Sequence, residues 1–134
     1  RQFTNILLYV CYGYNKIIHG WVALAGPHAF NPLKTKRTKS IFETFKNNIN
    51  QVKPVTFARA DGPPGLLIHG KEDTTVYEKN SVLLNNAIKN EQGQIALRSL
   101  PGVGHIGILL SLADDRLFAG DTKREIFKFI EILN

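Results

Sequence analysis

An aspartate and a histidine each follow a short apolar run in the 134-residue sequence. Asp73 comes just after "GLLIHG", and His105 comes just after "QIALRSLPG". A carboxylate beside an imidazole fixes the tautomer of the ring and stabilises the imidazolium that forms when the ring takes up a proton. Glycines close to His105 on both sides leave the ring uncrowded, as proton transfer requires. These residue types therefore suit the acid and base of a hydrolytic triad.

Strands and helices alternate along the sequence and would bring these two residues together. Apolar runs at 20–26, 65–70 and 94–102 predict strands, and residue spacing predicts helices over 2–14, from about 40, over 76–91, within 103–114 and from 122. The alternation predicts an α/β fold, a parallel sheet with flanking helices, in one domain over residues 1–134. Because successive parallel strands point the same way, Asp73 and His105 are expected at one edge of the sheet.

The residue types also predict where three helices begin and which faces are buried. Spacings typical of a helix-capping box occur at Ser40 with Glu43, Thr75 with Glu78 and Thr122 with Glu125. The expected buried side chains on these helices are Ile41, Phe42, Phe45, Val82, Leu83, Ala87, Ile88, Ile126, Phe127, Ile130 and Leu133. The strand at 20–26 is expected to be buried on both faces, since it is a continuous apolar run.

Three segments together resemble the bacterial esterase and lipase-like group of the α/β-hydrolase superfamily. They are "LAGPHAF" (24–30), "PPGLLIHGKEDTTV" (63–76) and "LPGVGHIG" (100–107). The resemblance is close over about 20–113 and implies the C-terminal half of that fold. It implies a carboxylic ester hydrolase acting on a small-molecule ester, with Asp73 as the acid and His105 as the base of a Ser-His-Asp triad.

The nucleophile of that triad is missing from the sequence. No G-x-S-x-G motif occurs, and Ser40, Ser81, Ser99 and Ser111 lack the surroundings of a nucleophile elbow. The helix over 2–14 resembles the one that follows the elbow, so the family serine is expected shortly before residue 1. The oxyanion loop is expected upstream as well. The chain is thus expected to be the C-terminal portion of a longer esterase.

The main alternative is a catalytically inactive fragment or interaction module. Without the preceding strands, the first strand would keep an open apolar edge, which could pair with a second copy of the chain to give a homo-oligomer. Oligomeric state and ester turnover distinguish the two hypotheses.

Other features exclude or weaken several function classes. The net charge of +6 is only weak evidence for an anionic partner, and "KTKRTK" (34–39) lacks interleaved aromatics, so nucleic-acid binding is not expected. Cys11 is the only cysteine, and His19 and His28 have no partner at ligand spacing. No metal or other cofactor is therefore expected. "ILLYVCY" is too short to cross a bilayer, so no membrane span is expected. The compartment is not determined, with a slight preference for the cytoplasm.

Overall fold

A computed structural model describes residues 18–113 and 122–133 of the chain. The predicted helix over 2–14 lies outside these residues. The strands are β1 (Trp21–Leu24), β2 (Gly65–Gly70) and β3 (Ile95–Leu100), and the helices are α1 (Lys36–Phe42), α2 (Lys79–Asn90), α3 (His105–Ala113) and α4 (Thr122–Leu133). The strands form one parallel sheet in the order β1-β2-β3. The predicted α/β class, with a parallel sheet and flanking helices, is confirmed.

Strand β2 lies at the centre of the described sheet, and all six of its residues are buried. A run of large apolar residues without polar alternation is typical of a parallel strand covered on both faces. Leu66 and Ile68 pack with Val103 and Ile108 in the core. The residues that follow β2 are therefore attached to a fully buried strand at the centre of the described sheet.

Strand β1 is less buried than its apolar sequence predicts. Val22 is 37% exposed, and the other three residues of the strand are half-buried. Within the described residues β1 pairs with β2 alone, so its other edge is open. The prediction of burial on both faces is wrong for this structure, because no packed element fully covers the face that carries Val22.

Helix α1 begins earlier than the Ser40–Glu43 spacing predicts. The hydroxyl of Thr35 accepts the amide of Thr38 at 3.2 Å and so caps the helix before Lys36. Ser40 lies inside the helix, where its hydroxyl donates to the carbonyl of Arg37. The predicted apolar face is also wrong, since the helix contains no buried residue.

Helix α2 buries a mostly polar face; of the four residues predicted to face inward, Ala87 and Ile88 are half-buried, and the prediction is wrong for the other two. Its buried residues are Asn80, Ser81, Leu84 and Asn85, whereas Val82 and Leu83 are 36% and 48% exposed. The helix begins at Lys79 without a side-chain cap, so the predicted start at 76 and the Thr75–Glu78 capping box are both wrong. Buried polar groups require hydrogen-bond partners: His69 at the end of β2 supplies one for Ser81, and Oδ1 of Asn80 accepts the amide of Ala29.

Helix α4 packs on the core through Ile126 and Phe129. Phe127 and Ile130, which were expected to face inward, are 58% and 44% exposed. The helix begins at Thr122 as predicted, but the carboxylate of Glu125 accepts hydrogen bonds from two cationic side chains and not from a free amide at the helix start. The Thr122–Glu125 capping box is therefore wrong, because Glu125 faces β3 and its own helix surface.

Candidate functional site

The loops that follow β2 and β3 are in direct contact. The amide of Lys71 donates to the carbonyl of Leu100 at 3.0 Å, and the amide of Glu72 donates to that of Val103 at 3.1 Å. A Cβ atom on Gly70 would overlap the carbonyl oxygen of Val103. Only glycine allows this approach of two backbones. The turn that carries Asp73 is thereby held against the loop that carries His105.

Asp73 is fully buried at the side chain, and both of its oxygens are engaged. Oδ1 accepts the amides of Thr75 at 2.9 Å and Val76 at 2.8 Å. Burial raises the pKa of Asp73, but the Val76 amide, the hydrogen bond with His105 and the Thr75 amide together bring it below its ordinary value. The carboxylate is therefore held ionised in a fixed orientation.

His105 is the first residue of α3, and its Nδ1 lies 2.7 Å from Oδ2 of Asp73. An ionised carboxylate can only accept, so Nδ1 carries the proton and Nε2 of the neutral ring has a free lone pair. Within residues 18–113 and 122–133, Nε2 makes no hydrogen bond, and the side chain is 33% exposed. Asp73 thus orients the ring through Nδ1, and Nε2 is free to accept a proton, which is the arrangement of a general base.

The structure also places His69 in this cluster, and the sequence did not assign it a role there. His69 is fully buried at the end of β2. Its Nδ1 lies 2.7 Å from the hydroxyl of Ser81, and its Nε2 lies 2.7 Å from the carbonyl of Val76 and 3.3 Å from Oδ2 of Asp73. The sequence offered one signal, since an imidazole in a fully apolar strand requires hydrogen-bond partners.

His28 is a second buried histidine, at the carboxyl end of β1. It is 4% exposed, and its Nε2 has no hydrogen-bond partner in the described structure. Burial, with a smaller contribution from the nearby ring of His69, lowers the pKa of His28 to about 4. Sequence reasoning placed His28 in the core or on the surface, and it belongs to the core. His19 is exposed.

None of the four serines forms a hydrogen bond with His105 in the described part of the chain. The hydroxyls of Ser40, Ser81 and Ser111 are hydrogen-bonded to groups other than His105, and Ser99 lies within β3. Among the described residues no cluster of three or more metal-ligating side chains occurs. No helix in that part of the chain has the length and apolarity needed to span a membrane.

Several solved structures share this fold. A truncated form of a carbohydrate esterase from gut microbiota matches 66% of the chain at 22% identity, with a TM-score of 0.55. Thermogutta terrifontis esterase 2 phosphoramylated by tabun matches 74% at 21% identity, with a TM-score of 0.53. An acetyl ester-xyloside bifunctional hydrolase from Caldicellulosiruptor lactoaceticus matches 86% at 18% identity, with a TM-score of 0.66.

These similarities establish an esterase-like fold. Identities of this size show a common architecture and not a common activity. The chain spans 35%, 40% and 42% of the lengths of those three proteins. No protein-family model matches the sequence, and no curated protein matches it.

Proposed function

We propose that the chain is the C-terminal half of an α/β-hydrolase fold and supplies the acid and the base of a Ser-His-Asp triad that hydrolyses carboxylic esters. The observation that carries the proposal is the 2.7 Å contact between Nδ1 of His105 and Oδ2 of Asp73. The ring of His105 is also partly open to solvent while the carboxylate is buried. The esterase-like fold and the segments that resemble bacterial esterases support the same activity.

The proposed mechanism assigns one task to each residue. Nε2 of His105 takes the proton of a serine hydroxyl as the serine oxygen attacks the acyl carbon of the ester. The protonated ring then donates that proton to the departing alcohol oxygen, which leaves an acyl-enzyme. Water attacks the acyl carbon, its proton passes to His105, and the acid product leaves. Asp73 stays ionised and stabilises the imidazolium in both halves of the reaction.

The serine and the oxyanion donors are proposed to come from a segment that precedes residue 1 in a longer protein. The sequence contains no G-x-S-x-G motif, and the chain spans less than half the length of each neighbouring structure. The open edge of β1 is where the preceding strands of such a fold would pair.

The test compares the chain with a version extended upstream into the natural coding sequence. We expect the extended protein to hydrolyse p-nitrophenyl acetate and to be labelled by a fluorophosphonate probe at a serine upstream of residue 1. The 134-residue chain should do neither, and His105→Gln in the extended protein should abolish turnover. An extended protein that folds but neither labels nor turns over the ester contradicts the proposal, and so does labelling of the chain itself.

The edge of β1 also favours a second function, that of an interaction module. Several apolar side chains are exposed along with Val22; on α3 and α4 they are Ile106, Leu109, Leu110, Phe127, Ile130 and Ile132. Large exposed apolar surfaces mark sites of association. Under this hypothesis size-exclusion chromatography shows a concentration-dependent dimer of the chain, and the upstream sequence contains no serine motif.

A further inference from the structure

We propose that His69 and Ser81 form a positioning pair that fixes the carboxylate of Asp73, and through it the ring of His105. The inference rests on the proposed ester hydrolysis, because it names two further residues that serve the same site. Neither residue would touch the substrate, since both are fully buried.

His69 lies near one oxygen of Asp73 and is linked to the other through Val76. Its Nε2 donates to the carbonyl of Val76 at 2.7 Å, and the amide of Val76 donates to Oδ1 of Asp73 at 2.8 Å. The same Nε2 lies 3.3 Å from Oδ2, the oxygen that binds His105. The imidazole of His69 thus stabilises the turn that binds Oδ1 of Asp73, and its Nε2–H group lies near Oδ2.

Val76 and Ser81 together occupy both nitrogens of the His69 ring. The carbonyl of Val76 can only accept, so Nε2 must carry a proton, and Nδ1 of the neutral ring then accepts the hydroxyl proton of Ser81 at 2.7 Å. If the ring turned over, both of its nitrogens would lose their buried partners, which is costly at full burial. The carbonyl of Val76 therefore determines the tautomer of His69, and Ser81 on α2 completes the hydrogen bonding of the ring.

This pair explains why α2 buries the hydroxyl of Ser81. Ser81 lies on the buried side of α2 and β2 delivers His69 from the centre of the sheet. A helix that only covered the sheet would bury more with Val82 and Leu83, yet those apolar side chains are exposed. The structure instead orients α2 so that a hydroxyl reaches His69.

A purely structural role for the pair would affect folding without affecting the orientation of His105. Ser111 provides a matched control, because its hydroxyl is equally buried and bonds to the carbonyl of Ile108 and the hydroxyl of Thr122. Ser111→Ala removes a hydroxyl of the same kind away from the Asp73 turn.

The first measurement is steady-state ester hydrolysis by the extended protein. We expect Ser81→Ala to lower kcat about tenfold and His69→Gln about 100-fold, with KM within about twofold, since the pair acts on the base and not on substrate binding. Ser111→Ala should leave kcat within about twofold. The inference is overturned if Ser81→Ala retains full kcat, or if Ser81→Ala and Ser111→Ala lower it equally.

The second measurement uses the 134-residue chain and does not depend on activity. The Nδ1 proton of His105 should give a slowly exchanging low-field resonance in the proton NMR spectrum of the wild type and of Ser111→Ala. In Ser81→Ala that resonance should broaden or move upfield while the amide spectrum still shows a folded chain. A resonance that is unchanged in Ser81→Ala overturns the inference. If it changes as expected but the extended protein hydrolyses no ester, the positioning role stands and the proposed function fails.

Discussion

A histidine is buried at the carboxyl end of each of the strands β1 and β2. The two histidines differ in whether their ring nitrogens have hydrogen-bond partners. At the end of β2, both ring nitrogens of His69 have partners at 2.7 Å. At the end of β1, the ring of His28 is equally enclosed, but its Nε2 has no partner in the described structure. The end of β2 thus carries a ring with both nitrogens hydrogen-bonded, whereas the adjacent end of β1 carries a buried nitrogen without a described partner, which is unfavourable.

This difference shows which strand end determines the protonation and orientation of its side chains. In the hydrogen-bond network at the end of β2 every proton has a defined place, so Asp73 and His105 have defined roles. At the end of β1, Nε2 of His28 has no described partner that would determine whether it carries a proton. Because burial lowers the pKa of His28, the stability of the fold should depend on pH. Three predictions test the contrast, beginning with the largest expected effect.

Replacement of Asp73 by asparagine should have the largest effect. An amide in place of the carboxylate no longer selects the Nδ1–H tautomer of His105, and kcat of the extended protein should fall about 10⁴-fold with a much smaller change in KM. The control is Asp61→Asn, since Asp61 is 75% exposed and pairs with Arg59. Retention of more than a tenth of the wild-type kcat in Asp73→Asn would remove Asp73 from the mechanism.

Two glycine-to-alanine substitutions compare the packing of the two strand ends. A Cβ on Gly70 would overlap a backbone carbonyl, whereas one on Gly26 would overlap the ring of His28. The backbone at Val103 cannot shift easily, whereas the ring of His28, which makes no hydrogen bond through Nε2, can rotate. We expect Gly70→Ala to lower the free energy of unfolding by about 3 kcal/mol or more, and Gly26→Ala by about 1 kcal/mol.

Urea denaturation of both variants at neutral pH measures these losses. Equal losses would mean that the two strand ends are packed alike, and a larger loss for Gly26→Ala would reverse the comparison.

A smaller effect is expected in the pH dependence of stability. The pKa of His28 is about 4 in the folded chain against 6.5 for a free histidine, so between these values the unfolded state binds a proton that the folded state excludes. Stability therefore falls as pH falls through this window, by about 2 kcal/mol from His28 alone at pH 5. His28→Gln should lose about that much less stability than the wild type between pH 7 and pH 5.

The control for this titration is His19→Gln, because His19 is exposed. Its loss of stability between the two pH values should match the wild type. If His28→Gln also matches the wild type, then the buried ring of His28 has an ordinary protonation equilibrium and the contrast between the strand ends is wrong.

The sequence predicted the elements that depend on local pattern. The run that forms β2 was recognisable because buried parallel strands are continuously apolar, and the end of β3 was marked by Pro101-Gly102. The start of α4 at Thr122 was also predicted. The meeting of Asp73 and His105 followed from the geometry of parallel strands. These inferences required no knowledge of side-chain contacts.

The predictions from sequence were wrong where a polar side chain makes contacts that residue spacing does not reveal. Thr75 and Glu78 have the spacing of a capping box, but the carboxylate of Asp73 already binds the amides of that turn. The buried face of α2 was assigned to Val82 and Leu83 because residue type was the only criterion. A helix that packs on a polar network buries hydroxyls and amides, and periodicity of apolar residues cannot reveal that.

The most direct test of the account is the tautomer of His105 in the 134-residue chain, measured from the nitrogen-15 chemical shifts of its ring at neutral pH. The account predicts that Nδ1 carries the proton in the wild type, because Oδ2 of Asp73 accepts it at 2.7 Å. In Asp73→Asn that preference should disappear. A wild-type ring protonated at Nε2 would contradict the account, because the nitrogen proposed as the base would then have no free lone pair.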